Sequence, residues 1–294
     1  MAVAFKGIGT QTVTDDNSGT AKVCNFSSNV EGDFLLACCG ASNGSTNKNP
    51  AEIWNAETGW TLLTLNVWAS ATAGNTQFFY RFAPAGGITN QTFDTAGTTG
   101  SVTVGLVFTG VDTTTPINVG PNMQQHTSGT VTNRSPPDYT TTVNDCMGIV
   151  SMNRDAAPVT ITFPSGYTDR IQSGSSLPGD GIINCIGTLL HTSSGLQTPG
   201  DFTWTGAQEA CSMSFALSPV LATHEQDGFR MEDDDGTESG STFLAAQNTN
   251  ITRNRADPFR VRQGGQLVGD PAALAATLQY KESSDGAAEW RDVP

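Results

Sequence analysis

Residues 101–117 read SVTVGLVFTGVDTTTPI, and this stretch decides the fold class. Apolar side chains occupy alternate positions, with small or polar ones between them: Val102, Val104, Leu106 and Phe108 against Thr103, Gly105 and Thr109. A period of two is typical of a β-strand with one buried face. The strand is predicted to end at Gly110, ahead of a threonine-rich loop that closes at Pro116.

The same pattern returns roughly 110 residues later, in ACSMSFALSPV at residues 210–220. Three upstream segments also have counterparts in the same order: residues 32–42 with 144–155, 59–63 with 165–171, and 77–83 with 183–192. Two sequence-similar halves, of about 1–120 and 121–222, are therefore predicted. Chance similarity between strands is the alternative.

The composition also favours strands. The chain has 294 residues, enough for two domains, and is rich in glycine, threonine and serine. Ten or more short strands and no convincing helix predict an all-β protein with antiparallel sheets packed face to face. A jelly-roll-like β-sandwich is the predicted architecture of residues 1–222.

The composition shifts at ATHEQD, residues 222–227, where a second domain is predicted to begin. Residues 223–294 contain further alternating segments and a predicted hairpin turn at Asp285 and Gly286. They are predicted to form a small Ig-like or fibronectin-III-like β module. Since such a module usually takes about 100 residues, we expect the first domain, a neighbouring copy or a capsid surface to complete it. A smaller self-sufficient barrel is the alternative.

The charge balance excludes one class of partner. Asp and Glu number 28 against 14 Lys and Arg, which gives a net charge of −14. With no basic face evident, direct nucleic-acid binding is not expected.

No segment approaches about 18 consecutive apolar residues, so no membrane span is expected. The first residues contain no apolar run of signal-peptide length, so no leader is expected.

The six cysteines predict buried, reduced thiols and not a metal site or a disulfide framework. They occur without a CxxC pattern, mostly within apolar strand segments, and comprise Cys24, Cys38, Cys39, Cys146, Cys185 and Cys211. The adjacent Cys38 and Cys39 should point to opposite faces of one strand. Small buried thiols are common in proteins made and kept in a reducing cytoplasm.

Other candidate groups give no defined site. His126, His191 and His224 are isolated, and GxSxG is absent. Trp54, Trp60 and Trp68 could stack on sugar rings, although strand aromatics usually belong to a core. A calcium site is conceivable at an acidic turn that contains Asp233, Asp234, Asp235 and Glu238. A solvated turn is the preferred interpretation, because the distal glutamate of an EF-hand loop is missing. No catalytic, cofactor-binding or metal-ligating residue, and no cofactor, is predicted.

Two sets of segments show a family resemblance. GWTLL, FFYRFA and VFTGVDTTTPI together resemble a β-sandwich of phage and prophage proteins. FRMEDDDGTESGSTFLAAQNTNI, with LQYKE and EWRDVP, resembles an Ig-like module attached to structural proteins of tailed phages. Together they cover most of the chain. The resemblance implies a tailed-bacteriophage virion structural protein and brings no catalytic residues with it.

The resemblance leads to a preferred function and two alternatives. The preferred function is a non-enzymatic capsid decoration or cement protein, made in the host cytoplasm and located on the virion surface. Its expected partners are the major capsid protein or other virion proteins and further copies of itself, with a trimer favoured. The first alternative is a tail-fibre or tail-tip protein that binds a host-surface glycan. A glycan-cleaving enzyme is the least favoured.

Overall fold

A computed structural model describes residues 1–14, 21–42, 54, 57–67, 74–94, 100–124, 130–155, 159–175, 181–221, 223–233, 246, 249, 259–268, 279–280 and 291–292. These residues are organised in antiparallel strands and include no helix, so the prediction of an all-β protein is confirmed. None of them lies in a helix that could cross a membrane. The chain divides into two compact units, Ala2–Val220 and Leu221–Pro294, the second of which also includes Met1.

The larger unit contains eighteen described strands. Those of its first half are β1 (Ala4–Ile8), β2 (Thr12–Thr14), β3 (Ala21–Asn25), β4 (Phe34–Ser42), β5 (Thr61–Val67), β6 (Gly74–Phe82), β7 (Asn90–Asp94) and β8 (Gly100–Thr109). Those of its second half are β9 (Ile117–Gln124), β10 (Val131–Arg134), β11 (Tyr139–Thr141), β12 (Cys146–Asp155), β13 (Ile161–Thr162), β14 (Thr168–Gly174), β15 (Ile182–His191), β16 (Gly195–Gln197), β17 (Phe202–Gln208) and β18 (Ala210–Leu217).

The strands of each half pair in a nested order. In the first half β1 pairs with β8, β3 with β7, and β4 with β6, all antiparallel. In the second half β9 pairs with β18, β10 with β17, and β12 with β15. Pairing of the first strand with the last, and so on inward, is the order of a jelly roll. The predicted jelly-roll-like sandwich therefore matches the observed topology.

The two halves also have the same sheet order. The first main sheet runs β1-β8-β4-β6-β5 and the second runs β9-β18-β12-β15-β14. Each segment pair matched in the sequence occupies corresponding places, since β4 corresponds to β12, β5 to β14, β6 to β15 and β8 to β18. The turns before β5 and β14 agree as well, because Gly59 and Gly166 both have positive φ. Descent from a duplicated ancestor remains a prediction.

The two main sheets pack face to face through one apolar layer, which we call the inter-sheet core. Across this core, β4 of the first half contacts β15 of the second half, and β6 of the first half contacts β12 of the second. Both sheets contribute large buried side chains to this core, among them Phe34, Leu36, Phe78, Leu106, Phe108, Ile149, Ile186, Met213, Phe215 and Leu217. The first contact becomes the second when the two halves are exchanged, since β4 corresponds to β12 and β6 to β15.

Each main sheet is covered on its outer face by a smaller sheet. The β3–β7 pair contributes Cys24 and Phe93 to a second core, shared with Leu35 and Phe79 of the first main sheet. The β10-β17-β13 sheet covers the second main sheet through a third core that includes Phe202 and Trp204. The larger unit is therefore a stack of four β-layers.

The outer layers overturn the prediction that the repeated strands β8 and β18 have one buried face. Almost every residue of both strands is buried, including Thr103, Ser212 and Ser214. Thr103 lies on the outer face of β8, where its hydroxyl donates to the backbone oxygen of Val23 at 2.7 Å. A polar side chain can be buried in this way once its hydrogen bond is made within the protein.

Two segments without clear apolar alternation also form strands. The segment around Phe93 forms β7 and pairs with β3. Residues 121–138, which are mostly polar, contain the end of β9 and all of β10. Pro121 is compatible with β9 because this strand is the edge of its sheet, where a missing amide donor is tolerated.

The smaller unit is described over two strand pairs. β19 (Thr223–Asp233) pairs with β20 (Phe259–Val268), and β21 (Gln279–Tyr280) pairs with β22 (Arg291–Asp292), both antiparallel. β19 begins inside the ATHEQD segment, at Thr223. The predicted turn at Asp285 and Gly286 lies outside the described residues, between β21 and β22. The Ig-like identity of this unit remains a prediction.

Candidate functional site

The most defined polar cluster of the larger unit surrounds His191. This residue ends β15, where it lies opposite Cys146 at the start of β12. His224 lies in β19, in the other unit, and His126 lies outside the described residues. Of the three histidines considered in the sequence, His191 is the one with a described side-chain environment.

Two tyrosines complete this cluster, and no motif in the sequence predicts them. The hydroxyl of Tyr139, in β11, is 2.7 Å from Nε2 of His191 and 2.8 Å from the hydroxyl of Tyr167. Tyr139 and His191 are buried, and Tyr167 is half-buried. We refer to these three side chains as the Tyr–His–Tyr cluster.

Gly148 provides the space in which this cluster lies. It is in β12, and a Cβ atom there would be 2.1 Å from the Tyr139 hydroxyl and 2.3 Å from His191 Nε2. Any side chain at position 148 would have to displace one of them. The cluster therefore depends on a glycine whose role is steric and not conformational, and no local sequence motif signals it.

Burial keeps all three side chains neutral. It lowers the pKa of His191 and raises the pKa of Tyr139 well above its usual range. It also raises the pKa of Tyr167 to about 12. At neutral pH the cluster is thus a chain of neutral hydrogen bonds with no phenolate nucleophile. These hydrogen bonds can hold β11 and the turn before β14 against the second main sheet.

The lowered pKa of His191 predicts a stability change on acidification. In the unfolded chain this histidine should take up a proton near its ordinary pKa of about 6.5. In the folded protein protonation requires a lower pH, so stability should fall as the pH drops below that value. Urea unfolding of the wild type and His191→Gln across about pH 5 to 8 measures the difference. Equal pH dependence in both proteins would contradict the assignment.

The tryptophans considered for sugar stacking belong largely to the interior. Trp54 and Trp60 are 2% and 6% exposed and lie in the core beneath β3 and β7. Trp60 stacks on Phe26, with 5.5 Å between ring centroids, and its indole nitrogen donates to Gln91 at 3.2 Å. The preferred interpretation as core residues is confirmed for these two. Trp68 lies outside the described residues.

All six cysteines are buried and none forms a disulfide, as the sequence predicts. Cys38 contributes to the inter-sheet core and Cys39 to the core on the opposite face of β4. Burial raises the pKa of both thiols, and it raises that of Cys146 to about 11. These side chains are therefore protonated and shielded from reagents.

The thiols should accordingly react only after unfolding. We expect Ellman's reagent to find few thiols in the native protein and all six in denatured, unreduced protein. A sample reduced before denaturation serves as the reference and should give the same total. A lower total in the unreduced sample would show disulfides and would contradict the reduced state.

The acidic turn can be placed only in part. Asp233 is the last residue of β19, and Asp234, Asp235 and Glu238 lie outside the described residues. Within the part of the chain that the structure describes, no three His, Cys, Asp or Glu side chains form a group that could hold a metal ion.

The corresponding edges of the two main sheets are formed by β5 and β14. Both strands contain a register shift, between Leu62 and Thr64 in β5 and between Asp169 and Ile171 in β14. On β14, Arg170 lies over the Phe5 ring at 4.0 Å and donates to the hydroxyl of Thr188 at 2.8 Å. On β5, Leu62 is 45% exposed. Bulges and charged side chains limit uncontrolled strand pairing at such edges.

Comparison of the chain with protein-family models, curated proteins and solved structures finds no significant match.

Proposed function

We propose that this chain is a non-enzymatic structural protein of a tailed-bacteriophage particle and acts as a decoration or cement protein on the outer surface of the head. The observation that carries the proposal is the nested, jelly-roll strand order of both halves. Jelly rolls recur in viral capsid proteins. The segments GWTLL, FFYRFA and VFTGVDTTTPI, which resemble phage sandwiches, lie within this same unit.

The construction of the larger unit suits a stable particle protein that is made in the host cytoplasm. Its central strands are covered on both faces, and its thiols are protonated and buried. The net charge of −14 favours solubility before assembly. Such a body can be made in the host cytoplasm and then bind the major capsid protein or other virion proteins. A trimer, bound at a symmetry axis, is the expected assembly.

A receptor-binding protein of the tail is the alternative to be tested, since jelly rolls also occur in lectins. Glycan binding often uses an exposed aromatic ring as a platform. Trp54 and Trp60 do not offer one, because both are buried. These two rings therefore give no support to the tail alternative, and we prefer the head.

The location can be tested by immunogold electron microscopy with antibodies raised against the recombinant chain. The sample is tailed particles purified from the source of the sequence, and particles with the gene disrupted are the control. Labelling over the head supports the proposal. Labelling confined to the tail favours the receptor-binding alternative, and absence of the chain from purified particles overturns a virion role altogether.

A further inference from the structure

A polar row crosses one end of the inter-sheet core. Its members are Thr76, Ser151, Asn153 and Asn184. They lie on the inward faces of the two main sheets, because apolar residues of the inter-sheet core occur two or four positions away on the same strand faces. Asn153 lies opposite Asn184 on β15 and opposite Cys211 on β18. Thr76 lies opposite Gly40 on β4. All four polar side chains are buried.

Only part of this row is satisfied by protein atoms. Oδ1 of Asn184 accepts a hydrogen bond from the Thr76 hydroxyl at 3.2 Å, across the two sheets. Its amide nitrogen is 3.9 Å from the sulfur of Cys38. By contrast, Oδ1 and Nδ2 of Asn153 and Oγ of Ser151 have no hydrogen-bond partner among the described residues, although both side chains are fully buried.

Leaving these atoms without partners would be costly. A buried donor or acceptor that loses its hydrogen bond costs about 1–3 kcal/mol. Asn153 and Ser151 together present three such atoms, on the same face of β12 and two positions apart. Because side chains at i and i+2 of a strand point to the same side, these atoms face one region between the sheets.

The side chains on this part of β12 and beside Asn153 are shorter than those at the other end of the core. Face-to-face sheets lie about 10 Å apart, and side chains must fill that distance. At the other end of the core the space is filled by Phe34, Phe108 and Phe215. At this end Asn153 lies between Cys211 on β18 and Asn184 on β15, and Ser151 lies between Met213 and Ile186. The short side chains of Ser151, Asn153 and Cys211 fill less of the distance between the sheets than the phenylalanines do.

We propose that this region is a buried, polar pocket between the two main sheets that binds one or more ordered water molecules through Asn153 Oδ1, Asn153 Nδ2 and Ser151 Oγ. Buried waters typically make about three hydrogen bonds to otherwise unsatisfied groups, which matches the three atoms available. The pocket joins β12 to the opposite sheet and helps to set the register in which the halves pack. The proposal is independent of the function on the particle.

A crystal structure of the full chain that resolves ordered solvent tests the pocket directly. We expect water density within about 2.7–3.2 Å of Asn153 and of Ser151. A dry region, or direct hydrogen bonds from the Asn153 amide to protein atoms, would overturn the proposal.

Water magnetic relaxation dispersion on the full chain gives a second test in solution. The signal of long-lived internal water should decrease in Ser151→Ala, because one ligand atom is removed. The matched control is Ser214→Ala on the neighbouring strand β18, since the hydroxyl of Ser214 already donates to the backbone oxygen of Pro137 at 2.6 Å. Equal signals in the wild type and Ser151→Ala would contradict the pocket, whereas a decrease confined to Ser151→Ala would support it.

Discussion

Replacement of Phe215 with alanine should lower the free energy of unfolding of the larger unit by about 3–5 kcal/mol. Phe215 is in β18 and is fully buried in the inter-sheet core. Its ring meets that of Phe78, from the opposite main sheet, edge to face with 6.1 Å between centroids. Truncation would remove this contact between the halves and leave a cavity that strands held in two sheets cannot easily close.

The measurement is urea unfolding of the intact chain, followed by tryptophan fluorescence. Leu196→Ala is the matched control, because Leu196 in β16 is 67% exposed and its loss should change stability by less than about 0.5 kcal/mol. Similar small effects of both substitutions would contradict the face-to-face packing of the two main sheets.

Gly40→Ala should also be strongly destabilising, by about 1–3 kcal/mol. A Cβ atom at position 40 would lie 2.1 Å from Nδ2 and 2.7 Å from Cγ of Asn184, in the opposite main sheet. Asn184 cannot move freely, because its amide is hydrogen-bonded to Thr76 and faces Cys38. Urea unfolding measures the loss, and Gly200→Ala is the control since its nearest atom would be 3.9 Å away.

A double-mutant cycle identifies the source of this effect. In an Asn184→Ala background the clash is removed, so Gly40→Ala should cost much less than in the wild type. We expect an interaction energy within about 0.5–3 kcal/mol, the range found for residues in contact. Additive effects of the two substitutions would show that β4 and β15 do not face each other.

The strand content and the repeated order could be predicted from the sequence because β4, β8, β12 and β18 carry clear apolar alternation. Their double-sided burial could not be predicted, since serine and threonine normally indicate a solvent face. In β8 and β18 these residues are covered by outer sheets. The strand β7, NQTFD, has no clear signal in the sequence because a short edge element needs few apolar residues.

The polar clusters were harder to predict than the strands. His191 acquires Tyr139 and Tyr167 as neighbours only when β11, β15 and the turn before β14 come together. Asn153 and Asn184 lie opposite each other on β12 and β15 because of the strand register and not because of their spacing in the chain. Long-range pairing of this kind leaves no local motif. The tryptophans could be assigned correctly to the core because strand aromatics are usually buried.

The copy number of the chain in purified particles, measured by quantitative mass spectrometry against the major capsid protein, tests the proposed decoration role most directly. A decoration protein bound at repeated symmetry axes of the head should be present in a fixed, high ratio to the capsid protein. We predict such a fixed, high ratio of the chain to the major capsid protein in wild-type particles. The chain should be absent from particles that carry a disrupted gene. A few copies per particle, or none, would contradict the account.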